Sequence, residues 1–190
     1  MKNLSTYLFL VLFSFSAPSF ADDVRDFQIE GMSVGDSLLD YFSENEIKKM
    51  ISDKLEYPND KSFFGIDSEK SSYETYELVQ FHIKKNDNKY IIYSITGDIF
   101  YKNNIEDCYK TKDEIVLELS GMLKNNAKMV DSGTKKHAAD SESTTTNVWF
   151  DFDSGDTILV SCYDWSEKMR KYDTLKVAVD RKEFSDWLWQ

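Results

Sequence analysis

Few side chains in this sequence are equipped for chemistry, and their spacing limits what they could do. The chain has two histidines, His82 and His137, and two cysteines, Cys108 and Cys162. Ser37 follows Gly35-Asp36 and precedes Leu38-Leu39, a short turn-like approach to an apolar stretch. A serine nucleophile needs an exposed turn, donors for an oxyanion and a base to take its proton. The base would have to be His82 or His137, both distant in sequence. Asp151, Asp153 and Asp156 alternate oxygen ligands around Ser154-Gly155. Calcium takes such ligands from a twelve-residue loop with glycine sixth and a bidentate glutamate last. Counted from Asp151, Gly155 comes one place early, and Cys162 stands where the glutamate belongs. Flanking Val148, Phe150, Ile158 and Val160 predict a hairpin turn with acidic corners. Asp151, Asp153 and Asp156 remain the candidate metal ligands there. With two isolated histidines, no zinc site and no cofactor is expected.

Gly35-Asp36-Ser37-Leu38 is similar to the nucleophile motif of the GDSL, or SGNH, esterases and lipases. The resemblance implies an exported hydrolase with Ser37 as its catalytic residue. The family's later Gly-x-Asn-Asp has no counterpart here. Val79 and Thr134 stand three places before the histidines, where its Asp-x-x-His would put an acid. Ile29-Glu30-Gly31-Met32-Ser33 resembles the helix start of small outer-membrane assembly lipoproteins of the SmpA/BamE type. That likeness implies an envelope role, without the lipidated cysteine or the Leu-Gly-x-Pro that follows in the family. As a whole the chain resembles small exported proteins of low-GC marine bacteria, which implies export but no activity.

The N-terminus predicts an export signal. Lys2 supplies a positive start, an apolar run extends from Leu4 to Phe15, and Ser19 and Ala21 are small residues before Asp22. This is the pattern of a secretory signal cleaved between Ala21 and Asp22. The apolar run is shorter than the ~20 residues a membrane-spanning helix needs. No cysteine follows the site, which argues against a lipid-modified N-terminus and for a periplasmic or secreted protein without a stable membrane anchor. In an oxidising compartment Cys108 and Cys162 are expected to pair, with free thiols or an intermolecular bridge as the alternatives.

The net charge is −11 across 190 residues. Such acidity repels phosphate backbones, so nucleic acid is not an expected partner. A protein or small molecule of the envelope is.

The elements that would position these groups read as one α+β domain over 22–190. A helical pair is expected first, from Ser33 to about Phe42 and from the Ser43–Glu46 capping box to Leu55. A polar loop is expected over 61–72. An antiparallel sheet of about five strands follows: 78–83, 90–95, 99–101, 148–152 with 157–162, and 175–179. One helix is inserted behind Thr111-Lys112-Asp113-Glu114, and a short one carries Phe184, Trp187 and Leu188 at the end. Residues 131–146 hold almost nothing apolar and are expected to form a mobile loop. His82, alternating with apolar neighbours, is expected to be a packed or sheet-face histidine, and His137 a solvated one. The tyrosines and tryptophans, Trp149 and Trp165 included, invite a sugar-binding reading, although sheets and cores also favour aromatics. The leading expectation for function is a non-catalytic exported binding or accessory protein. A serine esterase using Ser37 and a calcium-stabilised domain are the alternatives.

Overall fold

The computed structural model describes residues 23–57, 62–102 and 104–189. The expected cleavage site at Ala21–Asp22 lies outside the described residues. Eight strands make one sheet: β1 Leu55–Glu56, β2 Phe63–Ser68, β3 Leu78–Lys84, β4 Ser94–Tyr101, β5 Ala127–His137, β6 Asp140–Phe152, β7 Thr157–Asp164 and β8 Asp173–Asp180. Three α-helices accompany them among the described residues: α1 Glu44–Ser52, α2 Ile105–Met122 and α3 Lys182–Leu188. The order across the sheet is β1-β2-β3-β4-β8-β7-β6-β5, and every pairing is antiparallel. Two four-strand meanders therefore meet at their last strands, β4 and β8, with α2 carrying the chain from one to the other.

The α+β class holds, but the expected five-stranded sheet is corrected to eight strands. The largest discrepancy is 131–146, expected as a mobile loop and found as the paired arms of β5 and β6. Hydroxyls and charges replace apolar periodicity there. Thr134 and Thr146 share a hydrogen bond between side chains on paired strands. Near the tip, the Asp140 carboxylate accepts from the hydroxyls of Ser143 at 2.7 Å and Ser166 at 2.6 Å. Those bonds, Ser166 first, hold Asp140 down to about 2. Fixed by hydrogen bonds rather than burial of oily side chains, this hairpin leaves no period-two pattern to read.

The expected N-terminal helical pair is likewise reduced to one helix. α1 forms behind the Ser43–Glu46 capping box, but the stretch before it is extended except for two 3₁₀ turns, Val24–Asp26 and Leu38–Asp40. Glu30 and Gly31 both adopt positive φ, so Ile29 to Met32 is a tight turn rather than a helix start. The Glu30 carboxylate fastens it by accepting the backbone N–H groups of Glu74, Thr75 and Tyr76. The extended segment then buries Val24, Phe27, Ile29, Met32, Val34 and Leu38. Helix α2 begins at Ile105, capped by Asn104, well before Thr111. Its buried stripe is Cys108, Lys112, Ile115 and Leu119. Lys112 reaches out along that stripe to pair with Asp113 at 2.8 Å, so its stem is buried and its charge is not stranded.

Strand β4 runs unbroken through Gly97, so the expected strands 90–95 and 99–101 are replaced by one, Ser94–Tyr101. The glycine serves close approach instead: a Cβ there would come within 2.4 Å of the buried Tyr76 ring. The expected bridge between Cys108 and Cys162 is present, with Cα atoms 6.0 Å apart, and it ties α2 to β7. Both cysteines are inside the main apolar core.

The disulfide spans 54 positions, so chain-entropy arithmetic assigns it on the order of 4 kcal/mol. The C108A/C162A double variant is expected to lose that much in urea unfolding. A loss below about 1 kcal/mol would show that α2 is held by packing alone.

Candidate functional site

Strand alternation gives this sheet two unlike faces. The first carries Val79, Phe81 and Ile83 of β3, Ile95 of β4, Val177 and Val179 of β8, Ile158 and Val160 of β7, and Val148 and Phe150 of β6. All are buried. Helix α2 and the N-terminal segment pack on this side. The second face is polar.

Three cross-strand rows define the middle of the polar face. The first is Gly65, His82, Ser94, Asp180, Thr157 and Asp151. The second is Asp67, Gln80, Thr96, Ala178, Leu159 and Trp149, and the third is Leu78, Asp98, Lys176, Ser161 and Asn147. Thr96 and Ala178 are the short side chains between the two longer rows. Four carboxylates, Asp67, Asp98, Asp151 and Asp180, thus share these rows with Lys176, and the first row continues to Lys128 of β5 opposite Asp151.

Much of this polar chemistry is buried. His82 is 4% exposed, Asp180 6% and Asp98 7%. The His82 ring meets the Tyr57 hydroxyl at 2.7 Å through Nε2 and the Ser94 hydroxyl at 3.3 Å through Nδ1. Burial pushes His82 down to about 3, with the nearby Lys176 charge acting in the same direction. Its imidazole is therefore neutral at physiological pH. Helix α3 closes this end of the face. Phe184 lies 4.4 Å from the His82 ring, and Trp187 packs edge-on against Tyr57.

Asp180 is the least compensated group. Burial pushes its carboxyl up to about 6, while a Ser94 hydrogen bond and the Lys176 charge pull the other way. Oδ1 is buried with no hydrogen-bond partner, and so is Nε1 of Trp187. Asp98 is better provided for, because Lys176 Nζ lies 2.8 Å from one oxygen and 3.0 Å from the other. Burial raises Asp98 too, and Lys176 opposes the rise. Beyond Lys176, Ser161 donates to Asn147, and Tyr163 stacks on Trp165 with ring centres 5.4 Å apart.

Of the residues singled out from sequence, His82 and Asp151 lie in the first row, and the others fall elsewhere. Ser37 caps the 3₁₀ turn, accepting from the Leu39 N–H while its hydroxyl donates to the Lys89 carbonyl at 2.6 Å. The hydrogen-bond partners of His82 are Tyr57 and Ser94, so the structure does not join Ser37 to that histidine. His137 lies beside Trp165, with ring centres 4.7 Å apart, rather than free in solvent. Asp153 is exposed at the β6–β7 turn, and Asp156 is occupied by the Lys182 N–H and the Ser154 hydroxyl. Asp151 is exposed on β6, in the Asp180 row. Among the described residues no group of three His, Cys, Asp or Glu side chains is placed to hold a metal ion. Asp98, Lys176 and Asp180 were not anticipated. Their only sequence signal is a charge at alternate positions of otherwise apolar strands, as in Leu175-Lys176-Val177-Ala178-Val179-Asp180.

Two clefts lined by described residues open on the surface. One of about 270 Å³ lies between α1 and the β2–β3 pair, but its Lys54 and Lys84 are ion-paired with Glu56 and Glu183. The other, about 260 Å³, surrounds Glu30, whose carboxylate is already consumed by three backbone N–H groups. Comparison with known protein families, curated proteins and solved structures returned no match to this chain.

A carboxyl raised from 3.8 to about 6 favours its protonated form in the folded state. Its contribution is fully present below pH 4 and is lost as pH rises through 6, a cost of about 3 kcal/mol at neutrality. Asp180→Asn keeps the shape and removes the charge. The variant is expected to match the wild type near pH 4 and to exceed it by up to about 3 kcal/mol at pH 7 in chemical denaturation. Equal stability at both pH values would mean that Asp180 is solvated.

Proposed function

We propose that this chain is an exported, non-catalytic binding or accessory protein, and that the polar face of its sheet is the binding surface. The observation that carries the reading is the Asp180 carboxyl, buried on that face with one oxygen unpartnered. A stranded buried acceptor costs about 1–3 kcal/mol, and a ligand that donates to it recovers that energy. Around it stand groups suited to orienting a polar molecule: Thr96, Gln80, the Asp98–Lys176 pair and Asn147. Supporting export are the N-terminal signal pattern and the Cys108–Cys162 bridge. No described helix is long and apolar enough to cross a membrane.

Two measurements test this reading. A fluorophosphonate probe is expected to leave the native protein unlabelled. Stoichiometric labelling that disappears in Ser37→Ala would replace the binding reading with a hydrolase. In protein-observed NMR with a library of small polar molecules, perturbations are expected to gather on Gln80, Thr96, Leu159, Lys176 and Ala178. A library with no hits, or hits only on α2 and the N-terminal segment, would sink the assignment of this face.

A further inference from the structure

We infer that the α3 end of the polar face binds a small organic cation carrying a protonated amine, with Asp180 as its counter-ion. The inference rests on that face being the binding surface and names the chemistry it selects. Of the four carboxylates in the three central rows, Asp151 faces Lys128 across the β5–β6 pair, and Asp98 holds Lys176 between both its oxygens. His82 adds no charge, because burial keeps its ring neutral. Asp180 has a hydroxyl from Ser94 and feels the Lys176 charge, but that ammonium is ion-paired with Asp98 and makes no direct ion pair with Asp180. The missing element is a positively charged donor.

Other ligand classes fit less well. An anion meets the excess of carboxylates, on a chain whose net charge is already −11. A metal ion needs several converging ligands, and no group of three such side chains stands together among the described residues. A neutral polyol could bond to Oδ1, but it would leave the buried charge uncompensated. An ammonium supplies both the donor and the charge, and the hydrogen bond it makes is roughly twice as strong as a neutral one. The rings of Tyr57, Phe184 and Trp187 beside the first row suit a cation as well. Trp187 Nε1 is a buried donor without an acceptor at this same end. An oxygen on the same molecule would meet it, which points to amino alcohols and amino sugars rather than simple alkylamines.

Matched pairs isolate the charge: glucosamine against glucose, and ethanolamine against ethylene glycol, titrated at pH 6.5 and followed by tryptophan fluorescence and NMR shifts. At least one amine is expected to bind about tenfold or more tightly than its neutral partner. Asp180→Asn should remove that advantage, bringing the amine to the affinity of its neutral partner. Because the carboxyl titrates near 6, amine binding should also weaken as pH falls toward 5. The inference is overturned if the neutral partners bind equally well, if Asp180→Asn keeps the amine preference, or if neither amine binds. Neutral compounds perturbing Thr96 and Ala178 without any amine preference would overturn the cation while leaving the face as the binding surface.

Discussion

The ladder between β4 and β8 is the constraint on which this molecule depends. Its register runs from Ser94 opposite Asp180 to Tyr101 opposite Asp173, and it joins two meanders that otherwise have separate edges. Side chains alternate with a period of two, so a slip of one residue would send Val177 and Val179 to the polar face and Lys176 and Asp180 into the core. The apolar side makes such a slip prohibitive, since Ile95, Val177, Val179, Ile158 and Val160 are all buried against α2 and the N-terminal segment. The polar side contributes in the opposite sense. Asp98 pairs with Lys176 directly across the ladder, an arrangement that exists only in this register.

Legibility in the sequence follows the same division. Elements that bury one apolar face announced themselves: α1 with its capping box, the strands around Phe81, Ile158 and Val177, and the short terminal helix with Phe184. Elements stabilised by polar bonds did not. The β5–β6 hairpin is built on Thr134–Thr146 and on the Asp140 carboxylate gathering two serines, and polar residues of that kind read as loop. The N-terminal segment misled for a different reason. Leu38, Leu39 and Phe42 have helical spacing, yet Leu38 donates its backbone N–H to Tyr90 across the fold, so tertiary bonding replaced the helix. The candidate site was invisible because its residues come from β3, β4 and β8, which are far apart in sequence and adjacent only once the two meanders meet.

Ser37 and Asp156 stand apart from the polar face although their sequences look like motifs, and the reason is energetic. Ser37 and Asp156 have satisfied partners and serve the backbone, Ser37 as the cap of a turn and Asp156 as an acceptor for the start of α3. Their local sequences look like chemistry because capping and turn formation use the same short oxygen-bearing side chains that catalysis and calcium binding use. Asp180 has no motif around it, but it keeps a buried carboxyl short of a partner.

Folding alone does not require that arrangement. An asparagine at 180 would fill the same volume without placing a charge in the interior, and the apolar core lies on the opposite face, where Asp180 contributes nothing. What the carboxylate does add is an attraction that a bound positive charge can use fully, because burial has already removed the competing water. Lys176, six residues before the start of α3, is ion-paired with Asp98, so it offsets the Asp180 charge only in part. The Asp98–Lys176 pair is then part of the same device as Asp180: by holding Lys176 to its own carboxylate, it keeps the second carboxylate available.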